Sequence, residues 1–397
     1  MRPFAAFSLP LALMIWGSYA VMAQNKETNT VSWSVAGRLP LLAGMQKQPG
    51  VAGPFTGETN GALLVAGGAN FADGAMPWQG GKKLHHDDIY VLEKHGDHFS
   101  WVKPKTAHLR QKTAYGASAT VRGGVVCAGG ETESAAGCKD VFMMRWDAKI
   151  HDIVFTTLPS LPFPVANAGM TCIGNTIYLV GGESGGKPSN RFIALNLDDK
   201  NGQWQQLPPL PVSMSHSAVV TQSNGKYSCV YVIGGRSANP SGISTLHNCV
   251  FCYDPRQNKW ISLAPVGDGI HTTNISAATA VPVGDNGILL IGGDKGDIFH
   301  RIETFNALIA RAKDDKEKGR LQAEKLNLLN HHPGFSRDVY LYNTKTNAWE
   351  KTGDLPFYGQ VTTTAVLWDR HIFIPCGEIK PGIRTPDITM GTLNGRP

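Results

Sequence analysis

Short hydrophobic runs that end in a pair of glycines recur along almost the whole chain. Five copies are intact: Val65-Ala66-Gly67-Gly68, Cys127-Ala128-Gly129-Gly130, Leu179-Val180-Gly181-Gly182, Val232-Ile233-Gly234-Gly235 and Leu290-Ile291-Gly292-Gly293. A sixth copy, Ile374-Pro375-Cys376-Gly377, keeps only its second glycine. From one copy to the next the spacings are 62, 52, 53, 58 and 84 residues, so the chain is an array of similar units.

Two further markers keep step with the glycines. An Asp or Asn opens a β-rich run after each doublet, at Asp88, Asp140, Asn190, Asn248, Asp338 and Asp387. An aromatic residue then marks an outer strand, as Trp101, Phe155, Trp204, Trp260 and Trp349. Each unit therefore contains four predicted strands, and a period near 50 with paired glycines is typical of kelch-type blades. The sequence predicts an all-β, six-bladed kelch-type β-propeller.

The last unit lacks its outer strand, because the chain stops soon after Asp387. A strand pattern with an unassigned tryptophan, Thr30-Val31-Ser32-Trp33-Ser34-Val35, lies at the other end of the chain. We expect this N-terminal strand to complete the sixth blade and close the ring, since closure removes exposed sheet edges.

One blade carries a long insertion, at about residues 294–337. Apolar residues follow helical spacing from Phe299 to Ala312, and a charged hinge at residues 314–320 precedes a second apolar run. A helical pair here has two interpretations: a lid over the mouth of the propeller, or a decoration that packs on its rim.

Composition fits a single large array with a leader. The chain has 397 residues with 45 Gly and 24 Pro, which suits a turn-rich β protein. Residues 1–23 combine Arg2, an apolar stretch and a small residue at Ala23, so they are predicted to be a signal peptide cleaved before Gln24. The alternative is an uncleaved anchor. We expect residues 24–397 to form the propeller and to be periplasmic or secreted, without membrane contact.

Charge and cysteine content argue against several other classes. The net charge of +6 falls to +5 without Arg2, and no basic block alternates with aromatic residues, so a nucleic-acid role is not expected. Seven cysteines cannot all pair, and Cys249 and Cys252 lack the second pair of a zinc site. The run His85-His86-Asp87-Asp88 contains potential metal ligands, but Asp88 already serves as the strand-opening residue of its unit. No metal or cofactor is predicted.

One position can be compared across all six blades, namely the residue that follows each glycine doublet. Its occupants, in chain order, are Ala69, Glu131, Glu183, Arg236, Asp294 and Glu378. Equivalent loops of a propeller meet at a central mouth, so these ionisable groups are expected to converge there. Carboxylates that share a cleft raise one another's pKa and become suited to acid–base work. A hydrated ring of rim charges is the alternative.

The sixth of these loops is the most specific. It contains Glu378 and Arg384, and two prolines and a glycine between Glu378 and Asp387 stiffen it. An arginine fork can donate two parallel hydrogen bonds to a carboxylate. Loops that return to the next inner strand offer further candidates, namely Tyr115, Asn167, His216, His271, Asn274 and Tyr358.

The run Gly377-Glu378-Ile379-Lys380-Pro381-Gly382-Ile383-Arg384 resembles the hallmark loop of the kelch-propeller N-acetylneuraminate mutarotases. Agreement extends to residues 291–299, residues 357–359, Gly67-Gly68-Ala69-Asn70-Phe71 and Gly129-Gly130-Glu131-Thr132. The resemblance covers essentially the whole mature chain, in the blade order of the cyclically permuted branch of that family.

This resemblance implies an enzyme that interconverts the α and β anomers of N-acetylneuraminic acid without a cofactor. It places the catalytic pair at Glu378 and Arg384. The predicted substrate-binding residues are Glu131, Glu183, Arg236, Asp294, Asn70, Tyr358 and Tyr115. The sequence leaves a non-catalytic glycan- or protein-binding propeller open as an alternative. A sialidase is disfavoured because no Ser-x-Asp-x-Gly-x-x-Trp box is present, and the motif spacing gives little support for a copper oxidase.

Overall fold

The structure is a computed structural model that describes Met1 and residues 31–394, apart from residues 42–43, 72–74 and 97. The predicted signal peptide, beyond Met1, lies outside the described residues. Among the described residues, no helix is both long and apolar enough to cross a membrane.

Six four-stranded antiparallel sheets make up the body of the protein, and we number them as blades 1 to 6 in chain order. Blade 1 consists of Phe55–Thr59, Ala62–Ala66, Ile89–His95 and His98–Val102. Blade 2 consists of Ala117–Val121, Gly124–Ala128, Val141–Asp147 and Asp152–Thr157. Blade 3 consists of Gly169–Ile173, Thr176–Val180, Phe192–Asn196 and Gln205–Gln206. Blade 4 consists of Ala218–Ser223, Ser228–Ser237, Thr245–Asp254 and Lys259–Leu263. Blade 5 consists of Thr279–Val283, Gly287–Ile291, Asp338–Asn343 and Ala348–Asp354. Blade 6 consists of Val366–Trp368, His371–Pro375, Asp387–Leu393 and Val31–Arg38.

The innermost strands of the blades form a closed circle. Each contacts the innermost strand of the next blade, and that of blade 6 contacts that of blade 1. The outer strand of blade 6 comes from the other end of the chain, because Val31–Arg38 pairs antiparallel with Asp387–Leu393 and sets Trp33 opposite Gly391. The predicted six-bladed propeller, closed by its N-terminal strand, is therefore confirmed.

Aromatic residues of the outer strands connect neighbouring blades. The indole N–H groups of Trp204, Trp260 and Trp349 each donate to a backbone carbonyl in the connection from the preceding blade, at 2.8, 2.8 and 3.0 Å. Trp204 lies just before its two-residue strand rather than within it. Buried apolar side chains of adjacent sheets pack between the blades, so the core is divided among the blade interfaces.

The glycine doublets are required by the backbone. At Gly234 the φ angle is +59°, and an added Cβ would lie 2.3 Å from the carbonyl oxygen of Ile275. Cys376 occupies the equivalent position in blade 6, with a φ of +59° and a fully buried side chain. The degenerate copy therefore keeps the same geometry, although a non-glycine residue pays about 1–2 kcal/mol for it.

The insertion of blade 5 folds into two helices, α1 (Asp297–Arg311) and α2 (Asp315–Asn330). The predicted charged hinge is mostly helical, because Asp314 caps α2 by accepting a hydrogen bond of 2.8 Å from the N–H of Glu317. Glu303 of α1 accepts hydrogen bonds from the N–H and hydroxyl of Ser244, at 2.8 and 2.7 Å, which attaches the helices to blade 4.

All seven cysteines lie in the described part of the chain and are free thiols. Cys252 is buried, whereas Cys249 is half-buried. The Cys-x-x-Cys spacing therefore forms no disulfide.

Candidate active site

The six positions that follow the glycine doublets are structurally equivalent. Each forms an isolated antiparallel bridge with a residue that precedes the innermost strand of its own blade. The pairs are Ala52 with Ala69, Ala114 with Glu131, Ala166 with Glu183, Ser215 with Arg236, Ser276 with Asp294, and Val361 with Glu378. The prediction that one position repeats six times is confirmed.

A ring of left-handed residues surrounds the propeller axis, one from each blade. Its members are Gly53, Tyr115, Asn167, His216, Ala277 and Thr362, with φ angles from 53° to 65°. Five backbone hydrogen bonds of 2.7–3.1 Å join successive members around the axis. Five of the six are not glycine, so the strain of this conformation is held by the closed ring. Tyr115, Asn167 and His216 occupy the expected places, but Ala277 and Thr362 take those suggested for His271, Asn274 and Tyr358.

A cavity of about 530 Å³ opens at the centre of this face. Five ionisable residues from the equivalent positions line it, namely Glu131, Glu183, Arg236, Asp294 and Glu378. The helices lie over the same cavity, since Phe299 and Ile302 of α1 and Leu329 of α2 also line it. The insertion therefore covers the mouth, as the lid interpretation requires, rather than packing only on the outer rim.

Glu378 and Arg384 face each other across a short two-stranded ribbon, Glu378–Lys380 with Ile383–Arg384. Their side chains are 17% and 5% exposed, and the nearest oxygen and nitrogen are 3.6 Å apart. The guanidinium donates to the hydroxyl of Tyr115 at 3.3 Å and lies 4.6 Å from the ring centre of Phe71. Its Nε and Nη1 atoms are buried and find no acceptor among the described residues.

Burial raises the pKa of Glu378 above its usual value, because a carboxylate loses hydration there. Arg384 and the N–H of Gly382, which donates to Glu378 at 2.6 Å, oppose this shift in part. Burial likewise raises the pKa of Asp294 and raises that of Tyr115 to about 12. The cavity thus holds two carboxyl groups that retain their protons more readily than exposed ones.

The other two glutamates at the equivalent positions accept hydrogen bonds from more side chains. Glu131 accepts from the ammonium of Lys83 at 2.5 Å and lies 3.0 Å from the Nε2 atom of His85. Glu183 accepts from the hydroxyl of Ser215 at 2.8 Å and from the amide of Asn167 at 3.2 Å. Of the three glutamates at the equivalent positions, Glu378 is therefore the one that combines a raised pKa with a neighbouring arginine.

Two predicted substrate-binding residues do not line the central cavity, and neither does Arg384 of the predicted catalytic pair, whose side chain is buried beside it. Asn70 is buried, and its amide donates to the carbonyl of Gly50 at 3.0 Å while its oxygen faces the Nε2 atom of His86 at 2.8 Å. Tyr358 lines a neighbouring cleft of about 880 Å³, where Lys380 lies 5.1 Å from its ring centre. Asn70 therefore holds the loops of blade 1 together, and Tyr358 lies four residues before the ring member Thr362.

Several residues of the cavity were not found from the sequence. Lys83 and Trp78 come from the long loop of blade 1, which has no repeating pattern to mark them. The helical spacing in the insertion did select Phe299 and Ile302 as an apolar face, but not the surface that this face contacts.

Asp87, Asp88 and His108 bring three potential metal ligands within 4.8 Å of one another, outside this cavity.

The raised pKa of Glu378 makes the stability of the folded protein depend on pH. Between the unfolded pKa of about 4.3 and the higher folded value, the folded chain binds more protons, so its stability falls as the pH rises through this window. Glutamine cannot ionise. We therefore expect Glu378→Gln to melt at a higher temperature than the parent at about pH 8, with the difference shrinking below about pH 4. Thermal unfolding across this range checks it; a pH-independent difference would contradict it.

The fold and the site together define a kelch-type propeller with an acid–base cavity on its axis. The sequence model of the N-acetylneuraminate epimerase family matches residues 18–153 and 158–396, so the chain belongs to this family.

Individual relatives carry the same description. The N-acetylneuraminate epimerase of Haemophilus influenzae (strain PittEE) is 28% identical over 243 residues, which is 60% of each chain. That of Salmonella arizonae is 28% identical over 235 residues, covering 58% of this chain and 57% of the relative. That of Pasteurella multocida is 26% identical over 235 residues, covering 59% and 58%. The aligned part thus spans about 60% of the curated relatives' length.

Proposed function

We propose that this protein is a mutarotase that interconverts the α and β anomers of N-acetylneuraminic acid. The observation that carries the proposal is the Glu378–Arg384 pair, in which a carboxyl of raised pKa lies 3.6 Å from a guanidinium whose Nε and Nη1 atoms are buried and make no hydrogen bond to any described residue. Membership of the family and the names of the relatives support the choice of sugar.

The reaction needs only the movement of protons and one carbon–oxygen bond. In ring opening, the anomeric hydroxyl loses its proton, the ring oxygen gains one, and the bond between the anomeric carbon and the ring oxygen breaks to leave a ketone. The ketone turns and the ring recloses on its other face, with the protons returned. Glu378 moves these protons, because a carboxyl with a raised pKa gives and takes protons closer to neutral pH than an exposed one.

Arg384 supplies the complementary charge. Sialic acid carries a carboxylate on its anomeric carbon, and a guanidinium binds such a group through parallel hydrogen bonds. Nε and Nη2 form the fork that one carboxylate can bridge; Nε has no acceptor among the described residues, and Nη2 donates only to the hydroxyl of Tyr115, at 3.3 Å. A carboxylate bound at this fork would place the anomeric carbon beside Glu378.

The direct test uses freshly released α-anomer. Purified protein is added, and the approach to the anomeric equilibrium is followed by proton NMR. We expect the protein to accelerate this approach over the buffer rate. Saturable binding without acceleration would favour the glycan-binding alternative, and cleavage of a sialoside would favour a sialidase.

We also propose that the chain is exported to the periplasm or the exterior and loses residues 1–23. The proposal is supported by the apolar stretch between Arg2 and the small residue Ala23. The mass of the protein recovered from the exported fraction is expected to match a chain that begins at Gln24. Retention of residues 1–23 in that fraction would contradict cleavage.

A further inference from the structure

The central cavity has a helical wall, which is apolar apart from Lys325 of α2, and an ionisable wall. Phe299 and Ile302 lie on one face of α1, three residues apart, and Leu329 of α2 is added beside them. The blades supply the ionisable groups described above. A ligand that fills this cavity therefore presents an apolar group toward the helices and polar groups toward the propeller.

The two walls meet at Arg236. Its guanidinium carbon lies 5.2 Å from the ring centre of Phe299, and a guanidinium nitrogen lies 3.9 Å from a carboxylate oxygen of Glu183. Among the described residues the guanidinium makes no hydrogen bond of its own, and the side chain is 30% exposed. Its donors are therefore free for a ligand.

Glu183 presents the opposite polarity at the same place. It already accepts from Ser215 and Asn167, but a carboxylate has about four acceptor sites. A donor, an acceptor and an apolar surface thus lie side by side at Glu183, Arg236 and Phe299. An acylated amine offers the complementary set, with an N–H, a carbonyl oxygen and a methyl group.

The symmetry of the ring relates this cluster to the catalytic pair. In a closed ring of six blades, blade 3 faces blade 6 across the axis. Glu183 belongs to blade 3 and Arg236 to blade 4, whereas Glu378 belongs to blade 6. In the pyranose of N-acetylneuraminic acid the anomeric carbon, C2, and the acetamido-bearing carbon, C5, are likewise opposite each other. A sugar with C2 at Glu378 therefore directs its acetamido group toward Glu183 and the neighbouring Arg236.

We infer that Glu183, Arg236 and Phe299 form the subsite for the acyl-amino group of the sugar, an assignment that rests on the proposed function. Glu183 accepts from the amide N–H, Arg236 donates to the acyl carbonyl, and the methyl group packs on Phe299 and Ile302. The helical insertion thereby selects for N-acylated sugars, because a hydroxyl at C5 is too short to contact Glu183, Arg236 and the apolar side chains together.

The test compares N-acetylneuraminate with its analogue that carries a hydroxyl at C5. We expect the parent protein to equilibrate the acylated sugar with a kcat/KM at least about ten-fold higher than that for the hydroxyl analogue. Phe299→Ala should lower kcat/KM for the acylated sugar by about ten-fold and change that for the hydroxyl analogue by less than about two-fold. Phe299→Leu keeps an apolar wall and should retain most of the preference. Leu308→Ala, an exposed truncation on the same helix, should change neither value.

Saturation-transfer NMR gives a second readout that does not need activity. The acetamido methyl should receive the strongest saturation in the parent and lose it in Phe299→Ala. Equal kcat/KM for the two sugars, or equal losses on both in Phe299→Ala, would overturn the subsite. Acceleration of neither sugar would instead overturn the proposed function, and the methyl signal would then still decide whether the subsite holds the acyl group.

Discussion

Replacement of Glu378 by glutamine is expected to reduce the catalysed rate of anomer equilibration by about 10²–10⁴-fold, the usual value of positioned acid–base catalysis. Glutamine keeps the shape of the side chain but cannot take up or release the proton. Because Arg384 remains to hold the sugar carboxylate, we expect the loss in kcat and little change in KM. NMR progress curves at several sugar concentrations separate the two constants.

The matched control is Glu133→Gln. Glu133 lies in the same loop as the cavity residue Glu131, but its side chain is 67% exposed and pairs with Lys82. The same chemical change there should leave the rate unaltered. A loss of similar size in both variants would show that net charge, rather than Glu378 itself, sets the rate.

Deletion of residues 24–38 is expected to abolish folding into a soluble protein. The deletion removes Val31–Arg38, the outer strand of blade 6, and exposes the edge of Asp387–Leu393 along its length. It also removes Val31 and Trp33 from the apolar contact between blades 5 and 6. A row of unpaired backbone groups beside an apolar face promotes association between chains.

A chain that begins at Gln24 keeps the strand and serves as the comparison. Both chains are expressed in parallel, and the soluble fraction, the sedimentation profile and the melting temperature are measured. The shorter chain is expected to aggregate or to melt far below the longer one. Equal solubility and melting would show that the ring does not depend on this strand.

The repeat made most of the fold predictable. The glycine doublets gave the number of blades, and an unassigned Trp33 at one end gave the closure, because a periodic architecture repeats the same packing problem in each unit. The same period placed Glu131, Glu183, Arg236, Asp294 and Glu378 at one level around the axis.

Prediction failed where the period is interrupted. An extra turn, with Gly267 bridged to Thr272, lies before the ring member of blade 5, so His271 was mistaken for it and Ala277 was missed. Lys83 comes from an irregular loop and reaches Glu131 only through the tertiary fold. The raised pKa of Glu378 depends on burial by the tertiary fold, which no local pattern encodes.

Exchange NMR tests most directly whether Glu378 and Arg384 act together on one sugar. The H3 signals of the α and β anomers are resolved, so an equilibrated sample of N-acetylneuraminate is recorded with a catalytic amount of protein. We predict exchange cross-peaks between the two anomers with the parent, and none above the buffer level with Glu378→Gln. Absence of exchange with the parent, at a concentration where the sugar demonstrably binds, would contradict the account.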